Sequence, residues 1–155
     1  MGTDTLDYDW HLKVAELYDT VDLTYTMPSS NTQRIGAIAE SRFTTECLER
    51  DFEPHIPTTP MPWDFIVTCP AGTLKVQIKT TNHRTSANTY AINSCSQNNF
   101  MCETIDVVGC YVMPEKIWWL IPRKEIKGLT LKLNILPESK SKHKKYQENW
   151  SIFYE

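Results

Sequence analysis

The side chains best suited to chemistry in this sequence are those of Asp64, Gln77 and Lys79. Gln77 and Lys79 lie two positions apart in a run that alternates apolar and polar residues. As strand residues they would project side by side from one face. A carboxylate and an amide oxygen are ligands that Mg²⁺ accepts. We therefore expect the three side chains to converge on one spot, although the same pattern also fits an ordinary solvated strand face.

Two alternating runs carry these residues, at 62–68 and 74–80. Pro70, Ala71 and Gly72 lie between the runs, and proline and glycine are typical of tight turns. The pattern predicts a strand, a turn and a second strand, which together form a β-hairpin. Asp64 follows a proline at the start of the first strand, where a sheet can splay and admit a ligand.

A helix is predicted upstream of the hairpin, over residues 32–51. Apolar residues recur there at steps of three and four and would form a buried stripe, namely Ile35, Ile38, Ala39, Phe43, Cys47 and Leu48. Glu40 lies beside this stripe, which predicts a position at the edge of the core that faces the hairpin. Gly36 would let another group approach the helix closely. A surface glutamate paired with an arginine would explain Glu40 equally well.

The rest of the chain predicts one α/β (α+β) domain, for which 155 residues provide a sufficient core. Further strands are predicted at 89–94, 106–112, 116–121 and 129–135, and helices at 7–22 and 122–126. The runs 106–112 and 116–121 are almost wholly apolar, which is typical of central strands. The run 129–135 alternates, as an edge strand does.

The charged residues are segregated along the chain. Residues 1–68 hold twelve acidic and four basic side chains, and residues 69–155 hold seven acidic and twelve basic ones, for a net charge of −3. The second half can therefore present a surface to phosphates. The candidate DNA contacts lie in a polar loop at 80–86 and in a basic C-terminal segment: Asn82, His83, Arg84, Lys140, Lys142, Lys144 and Lys145. Such a lysine run is also typical of a loop that is merely solvated.

The sequence has no apolar run as long as a membrane span, and its N-terminal residues are acidic. This predicts an intracellular, cytoplasmic protein with no membrane partner. The five cysteines are odd in number and widely spaced, which predicts reduced core thiols. The spacing of cysteine and histidine makes a zinc protein a poor alternative.

The order of these residues resembles the PD-(D/E)XK nuclease superfamily. The first half of its signature corresponds to Trp63-Asp64, with Trp where Pro is usual. The second half corresponds to Gln77-Ile78-Lys79, with Gln where an acid is usual. This glutamine variant, preceded by a glycine-containing helix with Glu40, resembles the group I intron-encoded homing endonucleases of the superfamily.

The similarity covers about residues 31–154 and implies a restriction-endonuclease-like core, with a central mixed β-sheet flanked by helices. We expect the endonuclease domain to span residues 31–155 and residues 1–30 to form an N-terminal helical extension.

Hydrolysis of a phosphodiester needs a divalent ion that polarises the phosphate and activates a water. Glu40, Asp64, Gln77 and the Ile78 carbonyl would bind Mg²⁺, and Mn²⁺ would substitute for it. Lys79 would position or deprotonate the water. The sequence therefore predicts a metal-dependent, site-specific endonuclease of double-stranded DNA, of the homing type, with Glu40, Asp64, Gln77 and Lys79 as its catalytic residues.

One such site cuts one strand, so cutting both strands of a duplex needs at least two chains. We therefore expect a homodimer or a homotetramer, and the resemblance favours the tetramer. The resemblance also allows a gene of phage or intron origin, and it leaves open whether the gene lies within an intron or stands free. Two alternatives remain open. One is a Holliday-junction resolvase or repair nuclease of the same fold, and the other is a catalytically inactive DNA-binding module.

Overall fold

The structure, a computed structural model, describes residues 31–94 and 103–155. The helix predicted at 7–22 lies outside the described residues, as does most of the connection at 96–103. The main elements, in chain order, are α1 (Asn31–Leu48), β1 (Glu53–His55), β2 (Phe65–Cys69), β3 (Gly72–Thr81), β4 (Arg84–Ser86), β5 (Thr89–Asn93), β6 (Val107–Val112), β7 (Ile117–Pro122) and β8 (Thr130–Asn134). Short 3₁₀ turns occupy Arg123–Glu125, Lys144–Tyr146 and Trp150–Phe153.

A five-stranded mixed sheet forms the centre of the domain, in the order β1-β2-β3-β6-β7. Strands β3 and β6 are parallel, whereas every other neighbouring pair in this sheet is antiparallel. The predicted central mixed sheet is therefore confirmed, and the described part of the chain has an α+β fold. β3 is the middle strand, so the residues near its carboxyl end lie between two neighbours.

The predicted hairpin consists of β2 and β3. Cys69 pairs with Gly72, so Pro70 and Ala71 form a two-residue turn. Gly72 has φ +114°, a conformation that side chains disfavour, which explains the glycine there. The Ala71 amide donates to the Phe153 carbonyl at 3.0 Å, so the C-terminal segment holds the turn in place.

Helix α1 packs on one face of the central sheet. It buries Ala39, Phe43 and Cys47, which are spaced four residues apart, against sheet residues such as Val76 and Ile78. The Phe43 ring lies 5.1 Å from the Phe65 ring. No helix in the two described ranges is long and apolar enough to cross a membrane.

Two details of the predicted helix were wrong. Ile38 and Leu48 were expected in the buried stripe, but their exposed fractions are 40% and 54%. Ile38 directly precedes the buried Ala39, and Leu48 directly follows the buried Cys47. One residue corresponds to a rotation of about 100° around the helix, so both side chains point away from the buried stripe, which is one side chain wide. The helix was also expected to reach residue 51, but it ends at Leu48 and Asp51 has φ 60°.

The opposite face of the central sheet packs against a second, three-stranded sheet with the order β4-β5-β8. Tyr90 and Ile92 of β5 and Leu131 and Leu133 of β8 point inward and are buried. The predicted strands at 89–94 and 129–135 are thus confirmed, and β8 is an edge strand. The loop predicted at 80–86 was wrong in part, because Arg84–Ser86 pairs with β5 as a short strand.

The run 116–121 was expected to be a central strand, but β7 lies at the edge of its sheet. The C-terminal segment covers that edge. The Glu148 amide donates to the Trp118 carbonyl at 2.8 Å, and the Trp118 amide donates to a Glu148 carboxylate oxygen at 2.7 Å. Trp118 is buried on the face of the sheet that α1 covers and Trp119 on the face that the second sheet covers, which accounts for the apolar sequence of an edge strand. After β7, the predicted helix is only a 3₁₀ turn.

Candidate active site

Asp64 is positioned by its backbone and by its carboxylate. Its amide donates to the Val76 carbonyl at 2.9 Å, which continues the hairpin by one residue beyond β2. Its Oδ2 accepts a hydrogen bond from the Ile78 amide at 2.6 Å. The carboxylate therefore lies just before the start of β2, beside the middle of β3.

Gln77 is oriented by a hydrogen bond on the same side of the hairpin. Its Nε2 donates to the Pro62 carbonyl at 3.0 Å. Since a carbonyl can only accept, this bond identifies the nitrogen of the carboxamide and leaves Oε1 directed elsewhere. Oε1 is buried and finds no hydrogen-bond donor among the described residues. A buried acceptor without a donor is unfavourable, and a cation would satisfy it.

Lys79 projects from the same face of β3 as Gln77, as predicted. Burial raises the pKa of Asp64, while the Ile78 amide and the positive charge of Lys79 act in the opposite direction. The ammonium therefore lies within electrostatic reach of the carboxylate. The structure thus places Asp64 near Lys79, and Gln77 lies two residues before Lys79 on the same face of β3.

Glu40 comes from α1, which packs on the face of the central sheet that carries Val76 and Ile78. The residue is exposed, next to the fully buried Ala39. Its pKa is raised, first by partial burial and then by the negative charge of Asp64. Glu40 therefore lies at the edge of the core near Asp64, as its position beside the apolar stripe predicted.

These groups form a donor set that fits a hard divalent cation. The described residues contain no cluster of three His, Cys, Asp or Glu side chains that could hold a metal. Two carboxylates, from Glu40 and Asp64, would instead be supplemented by Gln77 Oε1 and the Ile78 carbonyl. In a strand the amide and carbonyl of one residue point to the same side, so the Ile78 carbonyl is directed toward the edge of β3 on which Asp64 lies. Oxygen donors of this kind suit Mg²⁺ and Mn²⁺.

Several residues that support the site were not identified from the sequence. A Cβ on Gly109 would lie 3.0 Å from Ile78 Cδ1, so the glycine leaves room for the residue that holds Asp64. Asp106 accepts from the Lys75 amide at 2.7 Å and binds the start of β6 to β3. The signal for Gly109 was a small residue inside an apolar strand.

Trp63 is the residue directly before Asp64. It is buried, with an exposed fraction of 7%, and the Lys75 Nζ lies 4.5 Å from the centre of its ring. The indole thus anchors the segment before β2 by packing and by a cation–π contact. This agrees with a role in shaping the start of the strand.

No family model matches the sequence, and no curated protein matches it. A search of solved structures finds a bacterial homing endonuclease, I-Ssp6803I, with a TM-score of 0.70 and 18% sequence identity. The match covers 81% of this chain and 93% of that one. The chain has a homing-endonuclease-like fold.

Three candidate DNA contacts lie where the homing-endonuclease-like fold passes from β3 to β4. Asn82, His83 and Arg84 are all exposed. Arg84 forms an ion pair with Glu115 at 3.2 Å and also donates to the Tyr90 hydroxyl at 3.3 Å. Its charge is therefore partly balanced. The side chains of Asn82 and His83 have no hydrogen-bond partner within the described ranges, and His83 lines a groove together with Lys79.

The other candidates lie in the C-terminal segment of the homing-endonuclease-like fold. Tyr146 is buried and anchors the lysines before it. Lys144 Nζ donates to the Asn134 carbonyl at the end of β8 at 3.3 Å, and Lys145 Nζ lies 5.0 Å from the Tyr146 ring centre. Lys140 and Lys142 are exposed. The structure thus places this basic segment beside the second sheet.

Proposed function

We propose that this protein is a metal-dependent, site-specific endonuclease that hydrolyses double-stranded DNA, of the homing type. The observation that carries the proposal is the buried Gln77 Oε1, which lacks a donor in the described part of the chain and lies in the cluster with Asp64, Glu40 and Lys79. The homing-endonuclease-like fold supports the same class of activity. We assign the domain to the PD-(D/E)XK superfamily on the motif Trp63-Asp64 and Gln77-Ile78-Lys79.

Glu40, Asp64, Gln77 and the Ile78 carbonyl would hold Mg²⁺ or Mn²⁺. A bound divalent ion would polarise the scissile phosphate and lower the pKa of a water. The Ile78 amide fixes Asp64 through Oδ2, which leaves Oδ1 to face the ligand. The Pro62 carbonyl fixes Gln77 in the same way, so both donors are oriented before anything binds.

Lys79 carries the second half of the proposed chemistry. Its ammonium lies near Asp64, and the lysine side chain is long enough for the ammonium to reach a phosphate oxygen or the attacking water. It would orient that water and stabilise the negative charge that develops on the phosphate. Glu40, from α1, would complete the ligand set with one carboxylate oxygen. Its other carboxylate oxygen would bind a water.

A single cluster of this kind cuts one DNA strand, so a double-strand break requires two copies of the chain. We propose a homodimer or a homotetramer, with the tetramer favoured by the resemblance to group I intron-encoded homing endonucleases. Exposed Ile38 and Leu48 on α1 would provide apolar surface for such contacts.

The test is a cleavage assay on DNA that flanks the gene, with Mg²⁺ or EDTA present. The full chain should cut one location in duplex DNA only when Mg²⁺ or Mn²⁺ is present. Lys79→Ala should lower the cleavage rate by about 10²–10³-fold or more and retain binding in a gel-shift assay, because the ammonium would stabilise the charge that develops on the phosphate. Lys124→Ala, which alters an exposed lysine outside the cluster, serves as the matched control.

The same assay separates the alternatives. A four-way junction offered beside the duplex should remain uncut, and preferential cutting of the junction would identify a resolvase instead. Full cutting by Lys79→Ala would remove this lysine from the mechanism. Binding without cutting under every metal condition would leave a DNA-binding module.

A further inference from the structure

The second sheet has an outer face that faces away from the central sheet. Side chains alternate along a strand, so the residues between the buried ones lie on this face: Thr89, Ala91 and Asn93 of β5, and Thr130, Lys132 and Asn134 of β8. The register places Asn93 opposite Thr130 and Ala91 opposite Lys132. Asn93, Thr130 and Lys132 are exposed.

The two ends of this outer face differ in their hydrogen bonding. At one end Asn134 donates to Thr89 Oγ1 at 3.1 Å and accepts from the Leu136 amide at 2.9 Å, so its carboxamide is engaged. At the other end the side chains of Asn93, Thr130 and Lys132 have no partner among the described residues. These three side chains are therefore available to a ligand.

The charge around the outer face suits an anionic partner. No Asp or Glu occurs at 82–94, the segment that contains β4 and β5, or at 126–137, the segment that contains β8. Lys132 lies in the middle of the face, and the basic C-terminal segment meets its edge through Lys144. A surface that carries amide, hydroxyl and ammonium groups without a carboxylate is complementary to nucleic acid.

The shape of the second sheet indicates which form of nucleic acid would fit it. β4 is only three residues long, and the last contact along this edge is the Ala91 amide donating to the His83 carbonyl at 3.1 Å. Beyond Ala91, among residues 31–94 and 103–155, the sheet consists of β5 and β8 alone. A two-stranded antiparallel ribbon is the β structure that the DNA major groove admits, since the groove is about 12 Å wide.

A groove connects this ribbon to the candidate active site. It has a volume of about 380 Å³, and Lys79, His83, Ala91 and Asn93 are among the residues that line it. The outer face and the proposed catalytic lysine therefore border one continuous surface.

We propose that the two-stranded end of β5 and β8 enters the DNA major groove and reads base edges through Asn93, Thr130 and Lys132. This inference rests on the proposed endonuclease function and names the surface that provides its specificity. Asn93 has the geometry to pair with the N6 and N7 edge of adenine, and Lys132 can donate to O6 and N7 of guanine. Thr130 contributes a hydroxyl donor or acceptor and a methyl contact.

The test is selection of duplexes from a randomised pool by the full chain carrying Lys79→Ala, which leaves bound DNA uncut. The chain that carries only Lys79→Ala, which is the parent in this experiment, should enrich one consensus sequence. Adding Asn93→Ala should remove an adenine preference, and adding Lys132→Ala should remove a guanine preference, at neighbouring positions of that consensus. Each loss should amount to about 10-fold or more in discrimination, while affinity for random duplex changes little.

Two controls make the outcome decisive. Lys124→Ala should select the parental consensus, and Lys145→Ala should weaken binding uniformly with the consensus unchanged, as a phosphate contact does. An unchanged consensus in both Asn93→Ala and Lys132→Ala would overturn the inference and leave the endonuclease proposal intact. If the Lys79→Ala parent enriches no duplex, the proposed function fails and the inference fails with it. An unchanged thermal midpoint for each variant excludes loss of folding.

Discussion

The Asp64 carboxylate accepts a 2.6 Å hydrogen bond from the Ile78 amide, one residue before the lysine that the site would use. This bond joins the segment before β2 to the middle of β3 at a point where the two strands no longer pair. It places the Asp64 carboxylate on the edge of β3 toward which the Ile78 amide points. The geometry of the candidate site depends on this one contact more than on any other.

Gln77→Glu tests whether a glutamine in place of a third acidic residue weakens metal binding. An additional negative charge should tighten Mg²⁺ binding by about 10-fold, since affinity for hard cations rises with the number of charged ligands. The carboxylate would lose the Nε2 donor to Pro62, so the metal-free protein should become less stable. Isothermal titration with Mg²⁺ and a thermal melt in EDTA measure the two effects. Equal Mg²⁺ affinities for variant and parent would contradict the prediction.

The closeness of Glu40 to Asp64 can be measured by titration. The negative charge of Asp64 raises the pKa of Glu40, so Asp64→Asn should lower it. The pKa should nevertheless stay above the ordinary glutamate range, because burial is the larger cause. Carboxyl-¹³C NMR of protein labelled at glutamate reports this value directly. A Glu40 pKa that does not respond to Asp64→Asn would place the two carboxylates too far apart to share an ion.

Asp64 should also make stability depend on pH. Burial raises its pKa in the folded state, so the folded protein binds this proton more tightly than the unfolded chain does. Stability should therefore fall as pH rises from the ordinary aspartate range through the raised pKa. Asp64→Asn removes that loss, so in EDTA its thermal midpoint should exceed the parent's at pH 7 and match it at strongly acidic pH.

Addition of Mg²⁺ supplies the control for that experiment. A ligand that binds only the folded state stabilises it, so Mg²⁺ should raise the midpoint of the parent but change Asp64→Asn little. A parent that is more stable than Asp64→Asn at neutral pH without metal would show that the hydrogen bond to Ile78 outweighs the cost of burial.

Gly109 and Gly36 provide a matched pair of glycine-to-alanine changes. A Cβ at Gly109 would lie 3.0 Å from Ile78 Cδ1, with Trp118 and Leu120 close behind, so Gly109→Ala should destabilise the fold by about 1 kcal/mol. It should also slow cleavage, because Ile78 positions Asp64. In the described part of the chain nothing lies within 4 Å of a Cβ at Gly36, contrary to the close approach expected there.

Gly36→Ala should therefore stabilise helix α1 by about 1 kcal/mol without a change in cleavage rate. Urea denaturation gives both stability values on one scale. The same sign of effect for both variants would contradict the proposed role of the space at Gly109.

The local sequence predicted the parts of this protein that depend on local physics. Period-two alternation around Pro70 and Gly72 predicted the hairpin, and its alternation placed Gln77 and Lys79 on one face. Period-3.6 spacing predicted α1 and put Glu40 beside its buried stripe. In each case the geometry of one element determines which residues share a face, so a short window of sequence was sufficient.

Only the tertiary structure decided what distant segments do to one another. That Glu40 lies near Asp64, that Gln77 Oε1 lacks a donor among the described residues, and that the C-terminal segment covers β7 depend on contacts between residues far apart in sequence. The outer face of β5 and β8 became visible in the same way, because it is defined by two strands whose pairing the alternating pattern does not specify. Side-chain periodicity states which residues share a face, whereas packing of whole elements determines what that face meets.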